Sequence, residues 1–251
     1  MGVSTVSRLG LTGLSLLALV LVWQLTAMWV NSPLLPDPPA VLEAMLRAAK
    51  DGALQRNIGI TLARVAASFI IAMALGSAIG IILGRSPRLD GLFGPWVVVM
   101  LNLPALVIII LCYVWFGLTE VAAITAVAIN KIPNVAVTMR EGAVALSRDL
   151  DEMGHVYRLS RRKMLRHVTL PQLVPFFAAS ARSGLALTWK IVLVVELLGR
   201  SNGVGFELQT AFQLFDVAMV LAYALAFTVV VQIIELGLLQ PWERRANRWR
   251  R

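Results

Sequence analysis

Residues 149–171, DLDEMGHVYRLSRRKMLRHVTLP, form a polar, basic stretch between two long apolar segments. It contains five cations: Arg158, Arg161, Arg162, Lys163 and Arg166. A segment with this charge is too costly to place in lipid, so it must project into water. Such a concentration of Lys and Arg is typical of the cytoplasmic side of a membrane protein. We therefore expect residues 149–171 to be a cytoplasmic loop, here called the basic loop.

The first half of the basic loop has the pattern of a short amphipathic helix. Its apolar residues recur at helical spacing: Leu150, Met153, Val156 and Tyr157. Ser160 is suited to cap a second helical turn. One interpretation is a charged loop that only fixes topology. The other, which the amphipathic pattern favours, is a docking surface for a soluble partner.

The composition indicates an all-α, polytopic membrane protein. The chain has 251 residues, of which 58% are hydrophobic and 15% are charged, and its mean hydropathy is +0.77. A soluble domain has about 25% charged residues. The net charge of +9 follows from the positive-inside bias of membrane proteins, so we do not expect nucleic acid as a partner.

Six apolar segments are long enough to span a bilayer, namely 11–30, 58–83, 92–113, 120–138, 174–198 and 217–239. The first contains Trp23 and Trp29 and is followed by no small-residue cleavage site, so it is predicted to be a span rather than a signal peptide. With the basic loop between spans four and five, both termini are cytoplasmic. Fifteen Lys and Arg residues then lie on the inner side and four on the outer side.

We expect three regions along the chain. Residues 1–56 hold the first span and an outer amphipathic helix, which Pro38 and Pro39 open and Gly52 ends. The apolar face of that helix is predicted to be Val41, Leu42, Met45 and Leu46. Residues 57–240 hold a core of five spans with the basic loop, and residues 241–251 form a basic tail.

Small residues and prolines predict the packing of two spans. Gly76, Gly80 and Gly84 repeat every four residues, which places them on one helix face and lets another helix approach closely. Pro95 and Pro104 interrupt the hydrogen bonding of the third span and are expected to bend it.

Ionisable residues within spans are costly and are functional candidates by default. The simplest expectation for Arg64, Lys131 and Arg182 is that they snorkel to an interface. Lys190 lies about 24 Å along its span from Val174, beyond the bilayer middle. It would suit an anionic substrate beside Trp189, or pair with Glu120 or Glu196. The predicted substrate-pathway residues are Trp189, Lys190, Glu196 and Arg64.

No residue pattern indicates catalysis or a metal site. The single cysteine, Cys112, excludes an intrachain disulfide and a C-x-x-C site. His155 and His167 are typical of solvated side chains rather than metal ligands. The sequence contains neither a phosphate-binding loop of the G-x-x-x-x-G-K-[ST] type nor an H-E-x-x-H motif. A transport function is expected, either as part of a pump or as a stand-alone secondary transporter or channel.

The basic loop resembles the E-A-A-x-x-x-G-x(9)-I-x-L-P loop of permease subunits in bacterial ABC importers. Glu152, Val168, Leu170 and Pro171 match that pattern. Further stretches resemble the nitrate, sulfonate and taurine branch: TLARVAASF at 61–69, WFG at 115–117, and LTWKIVLVVELLG with GVGF over 187–206.

The basic loop also departs from the family pattern. Met153 and Gly154 stand where the family has alanines, and Arg158 stands where it has glycine. Because glycine there normally permits a positive φ, we expect the turn to shift to Leu159 and Ser160 or to open.

The resemblance implies a non-catalytic permease in the bacterial inner membrane. Its expected partners are a second permease copy, membrane lipid, a periplasmic or lipid-anchored substrate-binding protein, and an ABC ATPase that binds ATP and Mg²⁺, so this chain needs no cofactor. The expected solute is a small anion such as a sulfonate, nitrate or bicarbonate. The residues expected to contact the ATPase are Leu150, Glu152, Met153, Gly154, Tyr157, Arg158, Leu170 and Pro171.

Overall fold

The computed structural model describes residues 5–147, 152, 153, 156–239 and 241, and every regular element in these ranges is helical. The helices are α1 (Thr5–Val30), α2 (Pro38–Lys50), α3 (Ala53–Arg85), α4 (Pro87–Asn102), α5 (Ala105–Phe116), α6 (Glu120–Val144), α7 (Arg161–Met164), α8 (Leu170–Gly199), α9 (Val204–Gln213) and α10 (Val217–Ile234). A π-helical turn, Leu165–Thr169, joins α7 to α8, and another, Glu235–Leu239, extends α10. The all-α prediction is confirmed.

Four of the described helices are long and apolar enough to cross a membrane: α1, α3, α6 and α10 with part of its π-helical turn. Helices α4 and α5 supply a fifth span only if the bent pair is counted as one. Helix α8 has 30 residues but is not among these helices, and it carries Arg182, Lys190 and Glu196. The structure thus supports four or five spans, and the predicted six are not confirmed.

The predicted third span, 92–113, is two helices rather than one. The axes of α4 and α5 meet at 95°. Leu103 at the break is extended, with φ −67° and ψ 130°, because Pro104 disfavours a helical conformation in the residue before it. The bend predicted at Pro104 is therefore confirmed, whereas α4 continues through Pro95 without a break.

The centre of the fold is the packing of α3 against α6, with α8 beside them. The glycine face of α3 makes this packing possible. A Cβ on Gly76 would lie 2.6 Å from Val135 Cβ, and one on Gly84 would lie 2.6 Å from the Arg140 carbonyl oxygen. The close helix approach predicted for these glycines is confirmed.

Replacing Gly80 with alanine is expected to destabilise the protein by about 1–3 kcal/mol, because the added methyl would lie 2.8 Å from Met139 Cβ on α6. Gly59→Ala in the same helix is the matched control, since nothing lies within 4 Å of its new methyl. Alanine there is expected to be neutral or to stabilise by up to about 1 kcal/mol. The melting temperatures of both variants are measured by thermal unfolding in detergent. Equal melting temperatures would contradict the predicted packing.

Helix α2 begins and ends as predicted. The Asp37 carboxylate caps it by accepting a hydrogen bond from Ala40 N at 3.0 Å, and Gly52 ends the segment with φ +73°. Of the predicted apolar face, Val41 is buried and Met45 packs beside it, whereas Leu42 and Leu46 are exposed. The buried face comprises Val41, Ala44 and Ala48, since α2 packs on α10 along that side. Trp23 ties α1 to this region by donating from Nε1 to the Pro36 carbonyl at 3.0 Å.

Candidate functional site

A polar cluster, buried on α3 and α8 but exposed at its α6 member, joins these three helices to the loop before α9. We call it the outer network, and its members are Arg64, Glu120, Glu196, Arg200 and Asn202. Arg64 on α3 is its centre and is only 4% exposed. Its Nε donates to Glu120 Oε2 at 2.8 Å, and its two terminal nitrogens donate to Glu120 Oε1 at 2.6 Å and Glu196 Oε1 at 2.7 Å. The remaining donors bond the Asn202 carbonyl oxygen, at 2.9 Å, and Asn202 Oδ1. All the donor groups of this guanidinium are therefore engaged.

Glu196 is fully buried, and its carboxylate is satisfied from three sides. Besides Arg64, Thr61 Oγ1 donates to it at 2.9 Å and the Gly205 amide donates at 2.8 Å. The turn at the start of α9 closes over this carboxylate. A Cβ on Gly205 would lie 2.7 Å from Glu196 Cβ, and Gly203 has φ +102°, so both positions need glycine.

A second set of bonds fixes α9 on α3. Asn57 donates to Glu207 Oε1 at 2.8 Å and accepts from the Gly203 amide at 2.8 Å. Thr61 Oγ1 accepts from the Val204 amide at 2.9 Å. The start of α9 is thus held through its backbone amides as well as through side chains.

Arg200 completes the charge balance of the outer network. It donates to Glu120 Oε1 at 2.6 Å and to the Leu118 carbonyl oxygen. Two arginines therefore face two glutamates across four chain segments. Arg64 and Glu196 form the buried pair among them. Removing one member of a buried pair is costly, because the other charge is left without a partner.

Two of the predicted pathway residues, Arg64 and Glu196, form hydrogen bonds and ion pairs within the protein. A solute could bind Arg64 only if one of its hydrogen bonds opened. The expectation that Arg64 snorkels is wrong, because Glu120 and Glu196 compensate its charge in place. The alternative that Lys190 pairs with Glu120 or Glu196 is also not seen, since arginines bind both carboxylates.

Sequence reasoning did not assemble the outer network. Glu120, Arg200 and Asn202 were not recognised as its members. A usable signal was present, because the charges alternate in sign at the outer ends of successive apolar segments. Glu120 opens the fourth segment, while Glu196 and Arg200 close the fifth.

Lys131 lies inside the helix packing and does not reach an interface. It is 2% exposed, and its Cε would lie 2.7 Å from a Cβ on Gly184 of α8. The glycine leaves room for the aliphatic stem of the lysine between α6 and α8. The expectation that Lys131 snorkels is therefore wrong.

Trp189 and Lys190 border a cleft of about 300 Å³ between α8 and α10. The Trp189 ring forms one wall with Phe227, at a centroid separation of 5.9 Å and an interplanar angle of 76°. Lys190 is exposed along this side of α8. Glu196 is six residues further along, about 9 Å in rise and on another helix face. The four predicted pathway residues therefore lie at two separate sites, the cleft and the outer network.

Several apolar side chains are exposed in the described part of the basic loop. Glu152 and Met153 are helical and exposed, and the Tyr157 amide donates to the Met153 carbonyl at 3.0 Å. Val156 is 78% exposed and Tyr157 is 74% exposed. Leu170 and Pro171 are exposed at the start of α8. Leu150 and Gly154 lie outside the described residues, as do residues 242–251 of the basic tail.

The turn of the basic loop stays at Arg158, which adopts a φ of +49°. The expected shift to Leu159 and Ser160 is wrong, although a left-handed conformation costs a non-glycine residue roughly 1–2 kcal/mol. Ser160 starts α7 as predicted, because its Oγ accepts from the Lys163 amide at 3.4 Å.

Hydrogen bonds hold the two ends of the basic loop together. The Ser147 amide, just after α6, donates to Gln172 Oε1 at 3.0 Å, and Gln172 Nε2 donates to the Val168 carbonyl at 3.0 Å. Arg85 at the end of α3 donates to Thr169 Oγ1 at 3.2 Å. The base of the loop is therefore connected to α3, α6 and α8.

Comparisons with known proteins agree with this architecture. The family model described as "Binding-protein-dependent transport system inner membrane component" matches residues 76–239. The chain is 28% identical to the taurine transport system permease protein TauC of Escherichia coli, over 90% of this chain and 84% of that relative. It is 27% identical to the putative aliphatic sulfonates transport permease protein SsuC of Bacillus subtilis, over 88% of this chain and 80% of that relative.

A solved structure shares the fold. An inward-facing conformation of the MetNI methionine ABC transporter superposes with a TM-score of 0.67 at 17% sequence identity, covering 80% of this chain and 99% of that one. The family match spans well over half of the chain. The chain therefore belongs to the binding-protein-dependent transport system inner membrane components, the permease subunits of ABC importers.

Proposed function

We propose that two copies of this chain form the translocation pathway of an ATP-driven importer, and that a separate ATPase drives them through the basic loop. ATP and Mg²⁺ would be bound by the ATPase. A periplasmic or lipid-anchored binding protein would deliver the solute to the outer side. Both termini would then lie in the cytoplasm of a bacterial cell, with the chain in its inner membrane.

The observation that carries this proposal is the exposed apolar surface of the basic loop. Met153, Val156 and Tyr157 lie close together in the chain, and each has a large apolar side chain that is exposed rather than buried. Burial against a partner would release roughly 1.5–3 kcal/mol for each such side chain. Basic residues beside them, among them Arg158 and Arg162, would favour an acidic partner surface.

The base of the loop supplies a route for mechanical coupling. Because Gln172 bonds both Ser147 and Val168, a displacement of the loop would act on the inner ends of α6 and α8 together. Arg85 extends that connection to α3. Since α3 and α6 pack closely, the three helices would move as a unit.

Replacing Val156 with aspartate is expected to reduce co-purification with the ATPase by about tenfold or more, because it places a carboxylate in an apolar contact. Leu214→Asp is the matched control. Leu214 is 73% exposed, close to the 78% of Val156, but it lies between α9 and α10, on the predicted outer side. Tandem affinity purification of the co-expressed subunits measures the retained ATPase. Equal retention by the two variants would contradict docking through the loop.

The proposed solute is a small anion of the sulfonate or nitrate class. Its support is the similarity to taurine and aliphatic sulfonate permeases together with the exposed Lys190. We propose that Lys190 and Trp189 meet the solute. Arg64 and Glu196 remain predicted pathway residues, with the proposed role of fixing α9 at the outer end.

A further inference from the structure

The cleft between α8 and α10 combines charge, hydrogen-bonding groups and an aromatic wall. We propose that it holds the anionic group of the solute during passage, an inference that rests on the proposed import function. Arg182 and Lys190 would attract the anion, while Thr228 and Gln232 offer hydrogen bonds. All four line the cleft.

The size of the cleft suits a small solute. Its volume of about 300 Å³ lies at the lower end of the range of roughly 300–1,000 Å³ for small-molecule sites. Trp189 and Phe227 would contact an apolar part of the solute such as the methylene groups of a sulfonate. The cleft thus has one charged and one aromatic region.

The charges in the cleft favour an anion. Two cations, Arg182 and Lys190, and one acid, Glu235, line it, so its formal balance is positive. The two cations are eight residues apart on α8, which corresponds to about 12 Å of rise. Both cations would add to the attraction of an anion that enters the cleft.

Lys190 carries the strongest part of the inference. Its ammonium group forms no hydrogen bond or ion pair within the described part of the chain, and the residue is exposed on a helix predicted to span the membrane. A lysine that faces lipid is costly, by roughly 2.5–3.5 kcal/mol at the bilayer centre, and Lys190 is predicted to lie past that centre. Water and an anion in the cleft would remove that cost, which would explain why Lys190 is exposed.

Thiol labelling tests the cleft without a known solute. Cys112 is the single cysteine and is buried, so Cys112→Ala gives a background in which Thr228→Cys adds one thiol at the cleft. The full chain in phosphatidylcholine nanodiscs is treated with an anionic sulfonatoethyl or a cationic trimethylammonioethyl methanethiosulfonate. We expect the anionic reagent to react about tenfold faster, since clustered cations raise the encounter rate of anions. Val229→Cys, whose side chain is exposed but does not line the cleft, is expected to react much more slowly.

Adding Lys190→Met is expected to reduce the preference for the anionic reagent several-fold while the thiol stays accessible. An unreactive Thr228→Cys thiol, or one that prefers the cationic reagent, would overturn the inference. So would a large loss of the anionic rate in nanodiscs with phosphatidylglycerol that exceeds the loss at Val229→Cys, because a lipid phosphate would then occupy the cleft. These rates need neither the ATPase nor uptake, so a failed import assay would leave them interpretable.

Discussion

Replacing Arg64 with methionine is expected to lower the free energy of unfolding by about 3–5 kcal/mol, because Glu196 would remain buried without its cation. Glu196 is fully buried, so water cannot compensate the lost ion pair. The substitution also removes the bonds that hold Asn202 and the start of α9. Thermal unfolding of the purified chain in detergent should show a melting temperature lower by roughly 10 °C.

Two controls separate the outer network from a general effect of removing a cation. Arg56→Met removes an exposed arginine from the same helix and is expected to change stability by no more than about 0.5 kcal/mol. Adding Glu196→Gln to Arg64→Met removes the unpaired charge and should recover part of the loss. If Arg64→Met melts no lower than Arg56→Met, the network does not stabilise the fold.

Replacing Lys190 with methionine is expected to reduce solute uptake by about tenfold or more. Methionine keeps most of the volume of the lysine but removes the charge that faces the cleft. Because Lys190 forms no ion pair among the described residues, its removal should leave folding and subunit assembly intact. Uptake of labelled taurine and of nitrate by the reconstituted importer would measure the effect.

Lys190→Arg distinguishes charge from packing in that experiment. It keeps the cation, so we expect it to retain a substantial part of the uptake. Purification yields of the assembled complex should match for both variants and the original chain. Unchanged uptake by Lys190→Met would remove Lys190 from the solute pathway.

Local features of the fold could be predicted from the sequence because their causes are local. Glycines every fourth residue on α3 allow close packing, and Pro38 and Pro39 start α2. Pro104 breaks the third apolar segment because proline disfavours a helical conformation in the residue before it. The 95° angle at that break could not be predicted, because hydropathy gives the length of a segment and not its direction.

The sequence places charges at the outer ends of the apolar segments but does not show which of them pair, because the partners are far apart in the chain. Arg64 and Glu196 are 132 positions apart, and Arg64 and Glu120 are 56 apart. Taken one at a time, single charges in apolar segments therefore predict snorkelling or solute contacts rather than ion pairs. Arg158 differs from its prediction for another reason. The preference of a non-glycine residue for negative φ predicts that the turn moves away from Arg158, but the surrounding loop keeps Arg158 at a positive φ.

The central claim is that force from a separate ATPase enters this chain through the basic loop. The most direct test replaces residues 149–158 with a glycine–serine linker of equal length and measures ATP-driven solute uptake in proteoliposomes with the ATPase and binding protein. We predict that uptake falls to the background of liposomes without ATP. Uptake at the original rate, or uptake driven by an ion gradient without ATP, would contradict the claim.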